Sequence, residues 1–79
     1  MDITLKLFAN LRELLPAGSQ GGECALEVKP GSRVDSIIRL LKIPEDMKLI
    51  ILLNSRHADQ DTVLKHGDVL AVFPPLAGG

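Results

Sequence analysis

The 79-residue sequence predicts an α+β roll, a mixed sheet wrapped around one main helix, on three observations. Apolar and polar residues alternate at the start of the chain, the two-residue period of a strand with one buried face. One stretch near the middle carries apolar residues at helical spacing instead. Further short apolar runs bounded by turn residues supply the remaining strands, so a single helix must serve a whole sheet.

A chain this short forms one core, because a domain of such size buries only about 60 % of the surface that its unfolded form exposes. Residues 1–73 are expected to make that domain and residues 74–79 an extended tail. Apolar residues are 46 % of the chain, charged residues 24 % and the net charge is −1, which describes a globular protein rather than a disordered one. No Lys/Arg cluster offers itself to a phosphate backbone, so nucleic acid is not an expected partner. The longest apolar run, residues 49–53, is too short to span a bilayer, and residues 1–20 lack the pattern of a signal peptide, so no membrane is expected and the cytoplasm is the expected location.

Strand one covers residues 1–9, with Ile3, Leu5 and Leu7 inward against Asp2, Thr4 and Lys6. Residues 10–15 offer Asn10 as a cap and apolar residues at helical spacing until Pro16, which reads as one or two helical turns. A loop over 17–22 leads to strand two at 23–29, closed by the tight turn that Pro30-Gly31 favours. Ser32 is the expected N-cap of a helix over 33–42, in which Val34, Ile37, Ile38 and Leu41 form one apolar stripe; Pro44 marks its end. Residues 49–53 read as a strand covered at least partly on both faces, followed by a polar turn at 54–56. Residues 61–64 suggest a single capped helical turn, His66-Gly67-Asp68 a bend, and residues 69–73 the last strand, with one short strand before it.

That strand runs into Pro74-Pro75-Leu76-Ala77-Gly78-Gly79, where the sequence stops. Paired prolines fix φ and donate no backbone hydrogen bond, so they end the ladder and project the remaining residues as an extended arm. Two glycines without Cβ atoms let the backbone thread a narrow tunnel and leave the Gly79 carboxyl unhindered. A free carboxylate is a poor acyl donor, so chemistry there needs a partner enzyme that activates it, typically with ATP; the chain offers no catalytic machinery for that step. The competing reading is an idle frayed end.

Leu7-Phe8-Ala9 followed by Leu11-Arg12-Glu13, the Asn54 turn, Gly67-Asp68 and the ending from Phe73 to Gly79 resemble the MoaD/ThiS sulfur-carrier family along essentially the whole chain. Within it, the members that serve molybdopterin synthase as its small subunit are the nearest. The resemblance implies a ubiquitin-like β-grasp fold and a carrier that binds no cofactor itself. It implies that an E1-like adenylating enzyme activates the Gly79 carboxylate with ATP and that a sulfurtransferase then displaces AMP. The resulting thiocarboxylate would enter the larger molybdopterin synthase subunit and donate sulfur to a pterin precursor. The family usually has Gly after the turn Asn, where this chain has Ser55, so a different turn is expected. Carriers for thiazole, thiolated tRNA, cysteine or a tungsten cofactor, a protein modifier conjugated to lysines through Gly79, and a binding module with an idle tail remain open.

A docking surface can be argued without the family. Phe8 has opposite parity to the inward set of strand one, and Val69, Ala71 and Phe73 oppose the inward pair Leu70 and Val72. If the first and last strands are neighbours, Phe8 and Phe73 share an exposed patch that a partner covers together with residues 74–78; the bland alternative folds both rings inward. Cys24 stands alone and is read as a half-buried strand residue with no role. His57 and His66, both in expected turns, are read as solvated, Asp59, Asp61 and Asp68 as turn or capping residues, and Lys48 and Lys65 as solvated charges, so no metal site is expected.

Overall fold

The computed structural model describes residues 1–16, 19, 21–44 and 46–75. Its elements run β1 (Asp2–Leu7), a 3₁₀ segment (Ala9–Leu14), β2 (Glu23–Glu27), α1 (Val34–Leu40), β3 (Ile50–Leu53), β4 (Arg56–His57) and β5 (Val69–Phe73). They build one five-stranded sheet in the order β2-β1-β5-β3-β4. Only β1 and β5 are parallel, with Leu5 opposite Leu70 and Leu7 opposite Val72; β2, β3 and β4 join antiparallel.

The predicted parity holds in the core. Ile3, Leu5 and Leu7 of β1, Leu70 and Val72 of β5 and Ile51 of β3 are buried in one cluster with Val34, Ile37, Ile38 and Leu41, the predicted helical stripe. Each such side chain taken from water contributes roughly 1.5–3 kcal/mol before entropic costs. Helix α1 thus covers one sheet face, and no second layer of described residues covers the other.

Several boundaries differ from expectation for local reasons. Strand one stops at Leu7: Phe8 is still extended, but the chain turns away at Ala9, whose φ of 53 opens the 3₁₀ segment. Asn10 therefore lies within that segment and is not its cap; Phe8 holds the cap position, without a side-chain hydrogen bond. Strand two ends at Glu27, although the Val28 N–H still donates to the Met1 carbonyl at 2.8 Å.

Ser32 does not cap α1 either. Its hydroxyl donates to the Lys29 carbonyl at 2.7 Å, reinforcing a turn in which Gly31 has φ 87, the left-handed value that the third residue of a type II turn requires. Arg33 is the N-cap, and its backbone N–H donates to the Ser36 hydroxyl at 3.3 Å. The helix closes earlier than residue 42: Lys42 N–H donates to Arg39 O and Ile43 N–H to Ile38 O, the paired bonds of a Schellman motif, with Lys42 at φ 61.

Residues 61–64 form no helical turn. They run as a strap across the start of α1, where Val63 bridges Arg33, Thr62 O accepts from Val34 N–H at 3.0 Å and Gln60 O from Asp35 N–H at 2.9 Å. Two helix donors without intrahelical partners are satisfied by this strap, which outweighs the local helical preference of four residues. Residues 54 and 55 make a two-residue hairpin turn, with φ 53 at Asn54 and 71 at Ser55, and Arg56–His57 supply the short strand. His57 is consequently an exposed strand residue rather than a turn residue. In β3, Ile51 is buried but Ile50 is 42 % exposed, so the outer face of this strand is open there.

Candidate functional site

Parallel pairing brings the ends of β1 and β5 to the same edge of the sheet, and the site grows from that. Leu7 faces Val72, and the Phe8 N–H continues the ladder to Val72 O at 3.3 Å. The next side chains, Phe8 and Phe73, both point to the uncovered face, where their rings stack with centroids 4.0 Å apart and planes 9° from parallel. Across β5, Phe73 pairs with Ile50. The result is a groove of about 570 Å³ lined by Phe8, Ala9, Asn10, Met47, Ile50, Phe73, Pro74 and Pro75.

None of those lining residues is charged, so among the described residues the groove can take up apolar surface but holds no acid, base or nucleophile to do chemistry with. Pro74 and Pro75 come directly after β5 and form part of its wall. Of the predicted site residues, the structure brings together Phe8, Phe73, Pro74 and Pro75; Leu76, Ala77, Gly78 and Gly79 lie outside the described residues. Sequence reasoning passes over Ile50, Met47, Ala9 and Asn10. The signal for Ile50 is its parity, opposite to buried Ile51, which is lost when the run 49–53 is read as covered on both faces. Met47 lies outside any strand or helix and carries no periodic signal.

The other polar candidates serve the fold. Buried Asp68 accepts from Asn54 Nδ2 at 2.9 Å through one oxygen and from the Lys65 N–H at 2.7 Å through the other, while Asn54 Oδ1 accepts from the Val69 N–H at 2.9 Å. This network ties the β3–β4 hairpin to the start of β5 and satisfies a carboxylate that would otherwise be costly to bury. His66 lies in the expected turn, and its Nδ1 accepts from the Asp2 N–H at 3.0 Å. Cys24 is a free, half-buried thiol on β2. Among the described residues no group of three or more His, Cys, Asp or Glu could hold a metal ion, and no helix is long and apolar enough to cross a membrane.

The model of the ThiS family matches residues 5–79. The chain belongs to the ThiS family. This ThiS-family chain is 27 % identical over 89 residues to the molybdopterin synthase sulfur carrier subunit of Arabidopsis thaliana, covering 100 % of the chain and 84 % of that protein. Among solved structures it is similar to the putative molybdopterin converting factor subunit 1 of Pyrococcus furiosus, at 32 % identity and TM-score 0.72, covering 95 % of this chain and 98 % of that one. It is also similar to small archaeal modifier protein 1 of Haloferax volcanii, at 26 % identity and TM-score 0.73, with the same two coverages of 95 % and 98 %. The fold is the ubiquitin-like β-grasp, and the chain is a sulfur carrier by family.

Proposed function

We propose that this chain is the small, non-catalytic subunit of molybdopterin synthase and carries sulfur on the Gly79 carboxyl group. The observation that carries the reading is the groove around the stacked Phe8 and Phe73, bounded by Pro74 and Pro75 and lined by no charged side chain among the described residues, in a chain of a sulfur-carrier family. A surface of that kind suits a protein that takes the tail and covers apolar side chains beside it. The name of the Arabidopsis relative, a subunit of molybdopterin synthase, supports the larger synthase subunit as that protein.

In the cycle, a Gly79 carboxylate oxygen attacks the α-phosphorus of ATP on an E1-like enzyme and releases pyrophosphate. Hydrosulfide-level sulfur, delivered by a sulfurtransferase, adds to the acyl carbon and expels AMP, leaving a thiocarboxylate. Inside the larger subunit that sulfur passes to a pterin precursor, and water restores the carboxylate. ATP is used by the activating enzyme and not bound by this chain; the cytoplasm, which supplies it, is the compartment this reading requires.

A second reading, a modifier joined to lysines through Gly79, is favoured by the likeness to small archaeal modifier protein 1. Intact mass measurement after incubation with an E1-like enzyme, ATP and a sulfur donor separates the two. Exchange of one terminal oxygen for sulfur supports the carrier, adducts on lysine support the modifier, and an unchanged mass with every cognate enzyme eliminates both.

A further inference from the structure

We propose that Arg12 forms a second contact point beside the apolar groove, receiving a carboxylate side chain of the same protein that covers Phe8 and Phe73. The proposal rests on the docking role given to that groove above, and adds the chemistry that its occupant must present at the edge.

Arg12 is exposed in the last turn of the 3₁₀ segment, and its guanidinium makes no ion pair or hydrogen bond among the described residues. Its side chain passes close over Gly22, where an added Cβ would lie 3.1 Å from Nε and 3.5 Å from Cζ. Gly22 is itself fixed, because its carbonyl accepts from the Leu7 N–H at 2.9 Å at the end of β1. A guanidinium with no hydrogen bond or ion pair to another described residue keeps its full donor fork for a partner's carboxylate.

The surroundings select the occupant. The depression around Arg12 is lined by Lys6, Leu7, Phe8, Ala9, Arg12, Gly21, Gly22 and Glu23, and it shares Phe8 and Ala9 with the groove. One partner surface therefore reaches both. Lys6 lies 3.8 Å from Glu23, so those two charges offset each other and Arg12 is the remaining charge of this lining, with Glu13 beside Arg12 in the adjoining depression. That matches one carboxylate, whose two oxygens the guanidinium fork can engage together; a polyanion would meet the Glu23 carboxylate as well. The geometry points to a protein partner that presents an apolar projection to the phenylalanine stack and an Asp or Glu beside it.

The test uses the whole chain and the larger molybdopterin synthase subunit from the same organism, with affinity measured calorimetrically at low and at physiological salt. Arg12→Glu is expected to weaken binding roughly tenfold or more at low salt and to flatten the salt dependence, Arg12→Lys to lose less, and an Asp/Glu→Arg change in the partner to restore the Arg12→Glu variant. Unfolding midpoints of the variants, which change only an exposed side chain, report that the fold is kept. If Phe73→Ala weakens the complex but Arg12→Glu binds within about twofold of the parent, the Arg12 contact is wrong and the groove stands. If Phe73→Ala has no effect, the groove has no docking role and the proposal falls with it, whatever Arg12→Glu does.

Discussion

Lys42 sits at φ 61 immediately after α1, the place in a Schellman motif where glycine is the usual occupant because it has no Cβ to clash. Lys42→Gly is therefore expected to raise stability by about 0.5–1 kcal/mol, read as a higher urea midpoint at unchanged slope; a lower midpoint would show that the lysine side chain contributes more than its backbone costs. Ser55 poses the same problem at φ 71: both central residues of the turn are left-handed, as a type I′ hairpin demands. The phenylalanines differ in kind, because their exposed face is surplus to the fold. Phe73→Ala removes a ring that is half-buried and stacked, so a loss of about 1–2 kcal/mol in stability is expected alongside a clear loss of affinity for the larger subunit. Retained affinity in a folded variant would remove the groove from the interface.

At the level of elements, the strap over residues 60–64 is what local sequence could not reveal. Asp61 to Leu64 carry a suitable cap and apolar residues, yet the backbone partners that decide their conformation, Ser32, Val34 and Asp35, lie far earlier in the chain. Leu64 pins the strap: it is 2 % exposed, and its N–H donates to Ser32 O at 2.8 Å. Leu64→Ala should cost about 2–4 kcal/mol in chemical denaturation, and faster hydrogen exchange at the Val34 and Asp35 amides should accompany it. A cost below about 1 kcal/mol would mean that the strap is held by its backbone bonds alone. By contrast, the alternation in β1 and the stripe at Val34, Ile37, Ile38 and Leu41 are legible because a single burial face imposes a period on the sequence. Caps are less so, since Ser32 and Asn10 have the right chemistry but find other geometry.

On the scale of the molecule, the fold divides labour between a covered and an uncovered sheet face, and the candidate site uses the second. Phe8 and Phe73 could be placed together from parity and one assumption about strand neighbours, whereas Ile50 and Met47 depended on how β3 and the preceding loop meet that patch. Gly79 lies outside the described residues. On the proposed function, its removal is expected to abolish activation by the E1-like enzyme while leaving the melting temperature within about 1 °C, because terminal residues of a domain usually add little to its core. A marked fall in melting temperature would place the end of the chain among the packed residues. Strand β5 is the third of five across the sheet, yet it is the last of them to be synthesised. Until it slots between β1 and β3, the nascent chain has only the two ends of a sheet, and the pairing that closes it joins residues such as Thr4 and Val69 from opposite ends of the sequence. A copy in which β5 has not yet slotted in therefore lacks the stacked Phe8 and Phe73, and on the function proposed above it would present its partner with no groove to cover.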